Sequence, residues 1–161
     1  MHNTKKINVY LASPLGFTAE GRLYIRTELV PKLESMPNVK VLDPWAGLLR
    51  MSDPEIMRIP KTMSRQLALK IGGENFKMIE RSDVVLACLN GPDPDSGTCI
   101  EIGYAYGRQK HIIGYRTDYR LTGESHKIRV NLQVESAILL SGGELFQNLN
   151  GAMVRIAMLR K

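Results

Sequence analysis

Val84-Val85-Leu86-Ala87-Cys88-Leu89 is apolar at every position, and this run limits the possible folds more than any other stretch of the chain. A strand with one wet face alternates apolar and polar residues. An unbroken β-branched run needs cover on both faces, as in the middle of a parallel sheet. Parallel strands require crossover connections, so helices must flank this one. Ile7-Asn8-Val9-Tyr10-Leu11-Ala12, Val39-Lys40-Val41-Leu42 and His111-Ile112-Ile113-Gly114-Tyr115 read as further strands, and Ala137-Ile138-Leu139-Leu140 as a last short one.

The intervening stretches read as helices. Thr18 caps one that runs to about Leu33, and Ser52 with Glu55 has the spacing of a capping box. Pro60 divides that region into a short helix and a longer one from about Lys61 to Arg81, weakened at Gly72-Gly73. Ile100 to Gln109 reads as another helix, and Glu144 to Leu159 as the closing one. The expected architecture is α/β, a single domain over residues 1–161 with a doubly wound, mostly parallel five-stranded sheet and helices on both faces, Rossmann-like or flavodoxin-like.

Composition narrows the class. With 161 residues, 43% of them hydrophobic, the chain is long enough to bury one core. No apolar stretch approaches the roughly 18 residues of a membrane span, and Met1 to Ser13 runs into a strand rather than a signal sequence, so a cytoplasmic protein with no membrane partner is expected. Cys88 and Cys99 lack the company of a disulfide framework or a metal site, which predicts reduced thiols and no metal. The net charge of +6 would suit nucleic acid, but the basic residues form no run and no aromatics interleave them, which argues against such a partner.

In a doubly wound sheet, ligands collect outside the carboxyl ends of the strands. Three loops of unusual composition leave those ends: Ser13-Pro14-Leu15-Gly16-Phe17, Asp43-Pro44-Trp45, and Asn90 to Thr98, which holds two prolines, two glycines and two aspartates. The third leads into Cys99-Ile100-Glu101-Ile102-Gly103-Tyr104-Ala105, a mostly apolar helix start in which Glu101 is the anomaly. A carboxylate in a first helical turn is kept ionised by the backbone amides and the dipole, and an ionised, poorly hydrated carboxylate is a usable nucleophile. Glutamate at a helix start is also an ordinary stabilising choice. Asp93 and Asp95 lie just upstream, and either could face Glu101 across a sugar as the second carboxyl of glycosidic chemistry; aspartate beside proline and glycine is equally plain turn chemistry. Asn75 falls on one helical stripe with Leu67, Ile71 and Ile79, the face expected to pack inward, where an amide must find partners. Tyr10, Phe17 and Trp45 fall at or beyond strand ends and suit a flat slot for a nucleobase, although core packing explains Tyr10 as well. No glycine-rich phosphate motif follows the first strand, and Glu20 would repel an anion at the first helix N-terminus.

Val9 to Pro14, Asn75 to Asp83, Asp95-Ser96-Gly97-Thr98-Cys99-Ile100-Glu101-Ile102-Gly103-Tyr104-Ala105 and Val130-Asn131-Leu132 together resemble the nucleoside 2-deoxyribosyltransferase family. The resemblance implies 2′-deoxyribonucleosides and free nucleobases as partners, deoxyribonucleoside salvage as the setting, and no cofactor. It implies that Glu101 attacks C1′, that Asp95 rather than Asp93 exchanges a proton with the base, and that the Tyr10 hydroxyl holds Glu101. It places Asn75 in the base region, and Phe17, Trp45, Asp93 and Gly97 on the surrounding loops are the further candidates for substrate binding. Asn131 would serve a neighbouring subunit's site, implying a homo-oligomer, typically a hexamer built from dimers. Two departures bear on base preference: the ending Met158-Leu159-Arg160-Lys161 lacks the aromatic residue that some members insert into the site, and some members carry Asp where Asn75 stands.

Two other functions compete. A hydrolase of the same superfamily would cleave 2′-deoxynucleoside 5′-monophosphates with water as acceptor, but its first loop should offer several phosphate donors. Here Pro14 cannot donate and no arginine precedes Arg22. A non-catalytic nucleotide-sensing module would share the fold, which alone decides no function.

Overall fold

The structure, a computed structural model, describes residues 6–159. Arg160 and Lys161 of the C-terminal ending lie outside the described residues. Five strands, β1 (Ile7–Ala12), β2 (Val39–Leu42), β3 (Val84–Cys88), β4 (His111–Tyr115) and β5 (Glu144–Phe146), form one sheet in the order β2-β1-β3-β4-β5. Every pairing is parallel. The order reverses at β1, so the crevice between the exits of β1 and β3 is the switch point at which such sheets bind ligands. Every residue of β3 is buried, as its unbroken apolar run requires.

The helices are α1 (Ala19–Tyr24), α2 (Val30–Glu34), α3 (Asp53–Ile56), α4 (Ile59–Thr62), α5 (Arg65–Arg81), α6 (Ser96–Gly107), α7 (Leu132–Leu140) and α8 (Leu149–Ala157). Two cores result. One side of the sheet packs Val9, Leu11 and Leu86 against Ile25, Leu29, Leu33, Ala152 and Ile156. The other packs Tyr10, Val85, Ala87 and Ile112 against Ile79, Ile102, Ala105, Val134 and Ile138. Thus α2 and α8 cover one face, and α5, α6 and α7 the other. The Thr18 side chain accepts from the Gly21 amide to start α1, and a π turn over Ile25–Leu29 carries the helix into α2. Pro31, which has no amide to donate, falls in the first turn after that π turn.

Several expected boundaries move. Ala137–Leu140 is not a strand but the end of α7, and the last strand is Glu144–Phe146, within the segment expected to be helical. A short apolar run fits either element, and here the Asn131 side chain accepts from the Gln133 amide and caps a helix whose Val134 and Ile138 face inward. Gly142, at φ +79°, ends that helix, and a side chain on Gly143 would collide with the Ile112 carbonyl. The closing helix therefore starts only at Leu149, where Asn148 caps it. The long helix starts at Arg65 rather than Lys61 because Ser64 caps it, while Pro60 sits in the first turn of α4, where a missing amide costs nothing. The Ser52–Glu55 capping box forms as expected. No helix among the described residues is long and apolar enough to cross a membrane. Cys88 and Cys99 are free thiols.

Candidate active site

The Asn90–Thr98 loop turns into α6 earlier than its composition indicated. The Asp95 carboxylate accepts from the Thr98 amide at 2.9 Å and caps the helix, so α6 begins at Ser96 rather than Ile100. Glu101 consequently lies in the second turn. The expectation that first-turn amides and the dipole keep its carboxylate ionised therefore fails: burial is the main cause that raises its pKa to about 7, and the nearby Asp95 charge adds to the rise. The Tyr10 hydroxyl opposes both by donating to Glu101 Oε1 at 2.5 Å.

Tyr10 is wholly buried on β1 and points toward α6, paired in register with Val85 of β3. Burial, the largest cause, and the adjoining Glu101 push its own pKa far up, so the phenol remains a proton donor at any working pH. Asp43, at the exit of β2, is a second half-buried carboxyl close enough to Tyr10 to raise it further. Its own pKa is raised by desolvation against a 2.9 Å hydrogen bond from the Trp45 amide. The exits of β1, β2 and β3 thus bring Tyr10, Asp43, Asp95 and Glu101 to one crevice, where α6 supplies the central carboxylate.

The aromatic wall forms beside it. Trp45 Nε1 donates to the Ser13 carbonyl at 2.9 Å, tying the β2 exit to the β1 exit. Gly16 is obligatory in this arrangement, because a Cβ there would fall 2.0 Å from the Trp45 ring. Phe17 meets Trp45 edge to face with ring centroids 4.8 Å apart, yet remains 70% exposed. That edge is open to a flat ligand.

The other expected residues are placed less closely. Asn75 is half-buried on α5, but its stripe does not pack inward as expected: Ile79 is buried while Leu67 and Ile71 are exposed. The reason is that the first half of α5 runs past the edge of the core that Ile79 joins. Asp93 is exposed in the β3 exit loop. A Cβ on Gly97 would stand 3.0 Å from Asp95 Oδ2, so glycine leaves that carboxylate uncrowded. Asn131 lies apart from this cluster in the sequence of elements, exposed at the start of α7, where its Nδ2 donates to Glu124 at 2.8 Å.

Reading the sequence missed Asp43 as an individual residue and missed Arg116 altogether. Arg116 is 3% exposed, and its guanidinium donates to the carbonyls of Leu89, of Gly91 at 2.9 Å and of Arg120 at 3.0 Å. The Asn90 side chain accepts from the Thr117 amide at 2.7 Å. These contacts latch the exit loop of β3 to that of β4. An arginine directly after a buried apolar strand was the available signal.

A family profile described as Nucleoside 2-deoxyribosyltransferase matches residues 9–133, most of the chain and all of this crevice. The chain belongs to that family. That family is one of glycosyl-transferring enzymes. An uncharacterized protein of Schizosaccharomyces pombe is 28% identical over 121 residues, 72% of this chain and 53% of that protein, so the chain spans about half the length of this curated relative. A 2-deoxyribosyltransferase from Leishmania mexicana has the same fold at a TM-score of 0.69 and 19% identity, over 94% of this chain and 97% of that one. A CMP N-glycosidase from Clostridium botulinum aligns at 0.54 and 18%, covering 94% and 99%. At such identities these two likenesses speak for the fold alone.

Proposed function

We propose that this deoxyribosyltransferase family member moves the 2-deoxyribosyl group of a 2′-deoxyribonucleoside to another nucleobase by double displacement. The observation that carries the reading is the half-buried Glu101 carboxylate, aimed by the 2.5 Å hydrogen bond from Tyr10 and lying within electrostatic reach of Asp95. A Glu101 oxygen attacks C1′, the C1′–N bond breaks with its electrons passing to the base, and Asp95 gives that base a proton. The incoming base then attacks C1′, returns a proton to Asp95 and frees the Glu101 carboxylate. Two displacements retain the β configuration. Burial favours the step, because a poorly hydrated carboxylate surrenders little solvation on bonding to carbon. With a pKa of about 7, Glu101 is about half ionised in the empty site at neutral pH.

Phe17 and Trp45 would stack the base, Asn75 and Asp93 would line its pocket, and Gly97 would leave room beside Asp95. Base transfer fits better than attack on a 5′-monophosphate through the first loop. There Arg22 is engaged, donating to the Gly16 and Phe17 carbonyls at 3.3 Å and pairing with Asp53 at 3.2 Å. The reading implies no cofactor, a place in nucleoside salvage, and a homo-oligomer in which Asn131 completes a neighbour's pocket. The exposed apolar residues Met57, Leu67, Leu69 and Ile71 support a partner surface of that kind.

Incubation with thymidine and adenine tests the reaction: deoxyadenosine should form, and thymine without deoxyadenosine would mean hydrolysis. For the shared site, Asn131→Ala should lose activity and regain part of it when mixed with Glu101→Ala subunits. Absence of rescue after confirmed subunit exchange would place the site within one chain.

A further inference from the structure

Beyond the crevice at Glu101, a cavity of about 290 Å³ opens at the carboxyl end of β4. Arg116, Thr117, Arg120, Arg129 and Gln147 are among its lining residues, together with Asp118. Three guanidinium groups on one small cavity are a concentration of positive charge that a chain of net charge +6 does not require at any single place.

The acids nearby cancel only part of it. Asp118 offsets one of the three charges, since Arg120 donates to Asp118 Oδ1 from Nε at 2.9 Å and to Oδ2 from Nη2. Arg120, first, and Arg116, last among the causes, hold the Asp118 carboxyl well below the usual range. Glu135 Oε2 accepts from the amides of Arg129 at 2.7 Å and Val130 at 3.4 Å, so that carboxylate is spent on backbone. Glu124 is spent on the Asn131 side chain and the Leu132 amide. The half-buried Arg129 has no ion pair or side-chain hydrogen bond among the described residues. Arg116 is nearly wholly buried, and its hydrogen-bond partners are neutral carbonyls. A buried guanidinium without a carboxylate partner is costly, and an anion in the adjoining cavity would offset that cost.

We infer that this cavity is a binding site for the phosphate group of a nucleotide, with Arg129 and Arg120 as direct ligands and the Arg116 charge behind them. Guanidinium groups match the geometry of a phosphomonoester, and the Thr117 hydroxyl and Gln147 amide add donors. Asn90, which bonds to Thr117, connects this site to the loop that ends at Asp95. The inference stands apart from the transfer reaction, because it concerns residues that the reaction does not use.

Titration calorimetry with inorganic phosphate at fixed ionic strength, with chloride as the balancing ion, tests it. Saturable binding is expected, weakened at least tenfold by Arg129→Ala and by Arg120→Ala, restored in part by Arg129→Lys, and unchanged by Glu101→Gln. Thermal melts of each variant establish that it is folded. Phosphate heats that do not saturate, or that persist unchanged in folded Arg129→Ala and Arg120→Ala proteins, would overturn the site. Kinetics then assign the source of the phosphate group. If phosphate competes with the nucleoside and 2′-deoxynucleoside 5′-monophosphates turn over faster than the nucleosides, the group belongs to the substrate; if phosphate binds without competing, it belongs to a separate nucleotide. Deoxyribosyl exchange with no phosphate binding would sink this inference and leave the proposed reaction standing, and the reverse result would do the opposite.

Discussion

Helix α6 takes part in two glutamate–tyrosine hydrogen bonds that look alike and behave oppositely. Near its start, Glu101 accepts from Tyr10 at 2.5 Å; further along, Tyr104 donates to Glu80 of α5 at 2.7 Å. Burial raises Glu101 to about 7, whereas the hydrogen bonds from Tyr104 and then Arg108 hold exposed Glu80 below its ordinary value. A tyrosine hydroxyl favours the ionised carboxylate in both cases. What separates them is that Glu80 has a guanidinium beside it and water around it, while Glu101 has neither compensation and faces Asp95 instead. One pair ties two helices together, and the other holds a carboxylate whose charge is poorly stabilised until something electrophilic arrives.

The largest effect should come from removing that charge. Glu101→Gln keeps an acceptor for Tyr10 and should lower deoxyribosyl exchange by roughly 10³-fold or more, as losses of a nucleophile do. The same change should stabilise the fold at high pH. Glu101 titrates at about 7 in the folded protein and near 4.5 otherwise, so the folded state binds more protons between those values. Wild-type stability is therefore lost as pH rises through that window, and the variant escapes the loss. Urea unfolding should show Glu101→Gln more stable by about 1–3 kcal/mol at pH 8 and nearly equal at pH 4. Identical stabilities at pH 8 would mean that Glu101 is no more stressed than Glu80.

Asp95 separates capping from chemistry. Asparagine caps helices as well as aspartate, so Asp95→Asn should retain the hydrogen bond from the Thr98 amide and leave the unfolding midpoint nearly unchanged. It cannot exchange a proton with a base, so exchange should drop by about 10²-fold. Asp95→Ala should lose both, with about 1 kcal/mol of stability going with the cap. Full activity in Asp95→Asn would reduce this carboxylate to a helix cap.

Tyr10→Phe should act more gently and mainly through pH. The rate of the wild type should fall as pH drops below about 7, because the attacking form of Glu101 is the ionised one. Without the Tyr10 hydroxyl the ionised form loses its donor, so that limb of the kcat/KM profile should move to higher pH. An unmoved limb would show that Tyr10 does not control Glu101.

The sheet was legible because parallel strands covered on both faces write themselves as apolar runs, and Val84–Leu89 could be little else. The third exit loop was legible for a similar reason: a carboxylate amid Cys99, Ile100 and Ile102 is costly unless it is used. The misread segment, residues 137–159, had short apolar runs without a period long enough to choose between helix and strand; the caps at Asn131 and Asn148 decided it. The ionisation of Glu101 was misjudged through a single boundary. Whether α6 starts at Ser96 or Ile100 depends on the Asp95 cap, and that boundary decides which turn holds the carboxylate. Arg116 went unread because its partners are main-chain carbonyls, so its place directly after a buried apolar strand was its one signal.

Glu80→Gln supplies the smallest effect and the control for all the others. Its carboxylate is exposed and shares Tyr104 and Arg108 at the surface, where ion pairs contribute little because water competes for both partners. Glutamine can still accept from Tyr104, so α5 and α6 should stay joined. Lys110, which donates to the Glu80 carbonyl at 2.6 Å and the Ser82 carbonyl at 2.8 Å, is untouched because it bonds backbone. Exchange activity and its pH profile should match the wild type, and the unfolding midpoint should shift only slightly, with any loss fading as salt screens the pair. A tenfold fall in activity would mean that the α5–α6 contact, rather than burial around Tyr10, sets the position of Glu101, and the contrast between the two pairs would collapse.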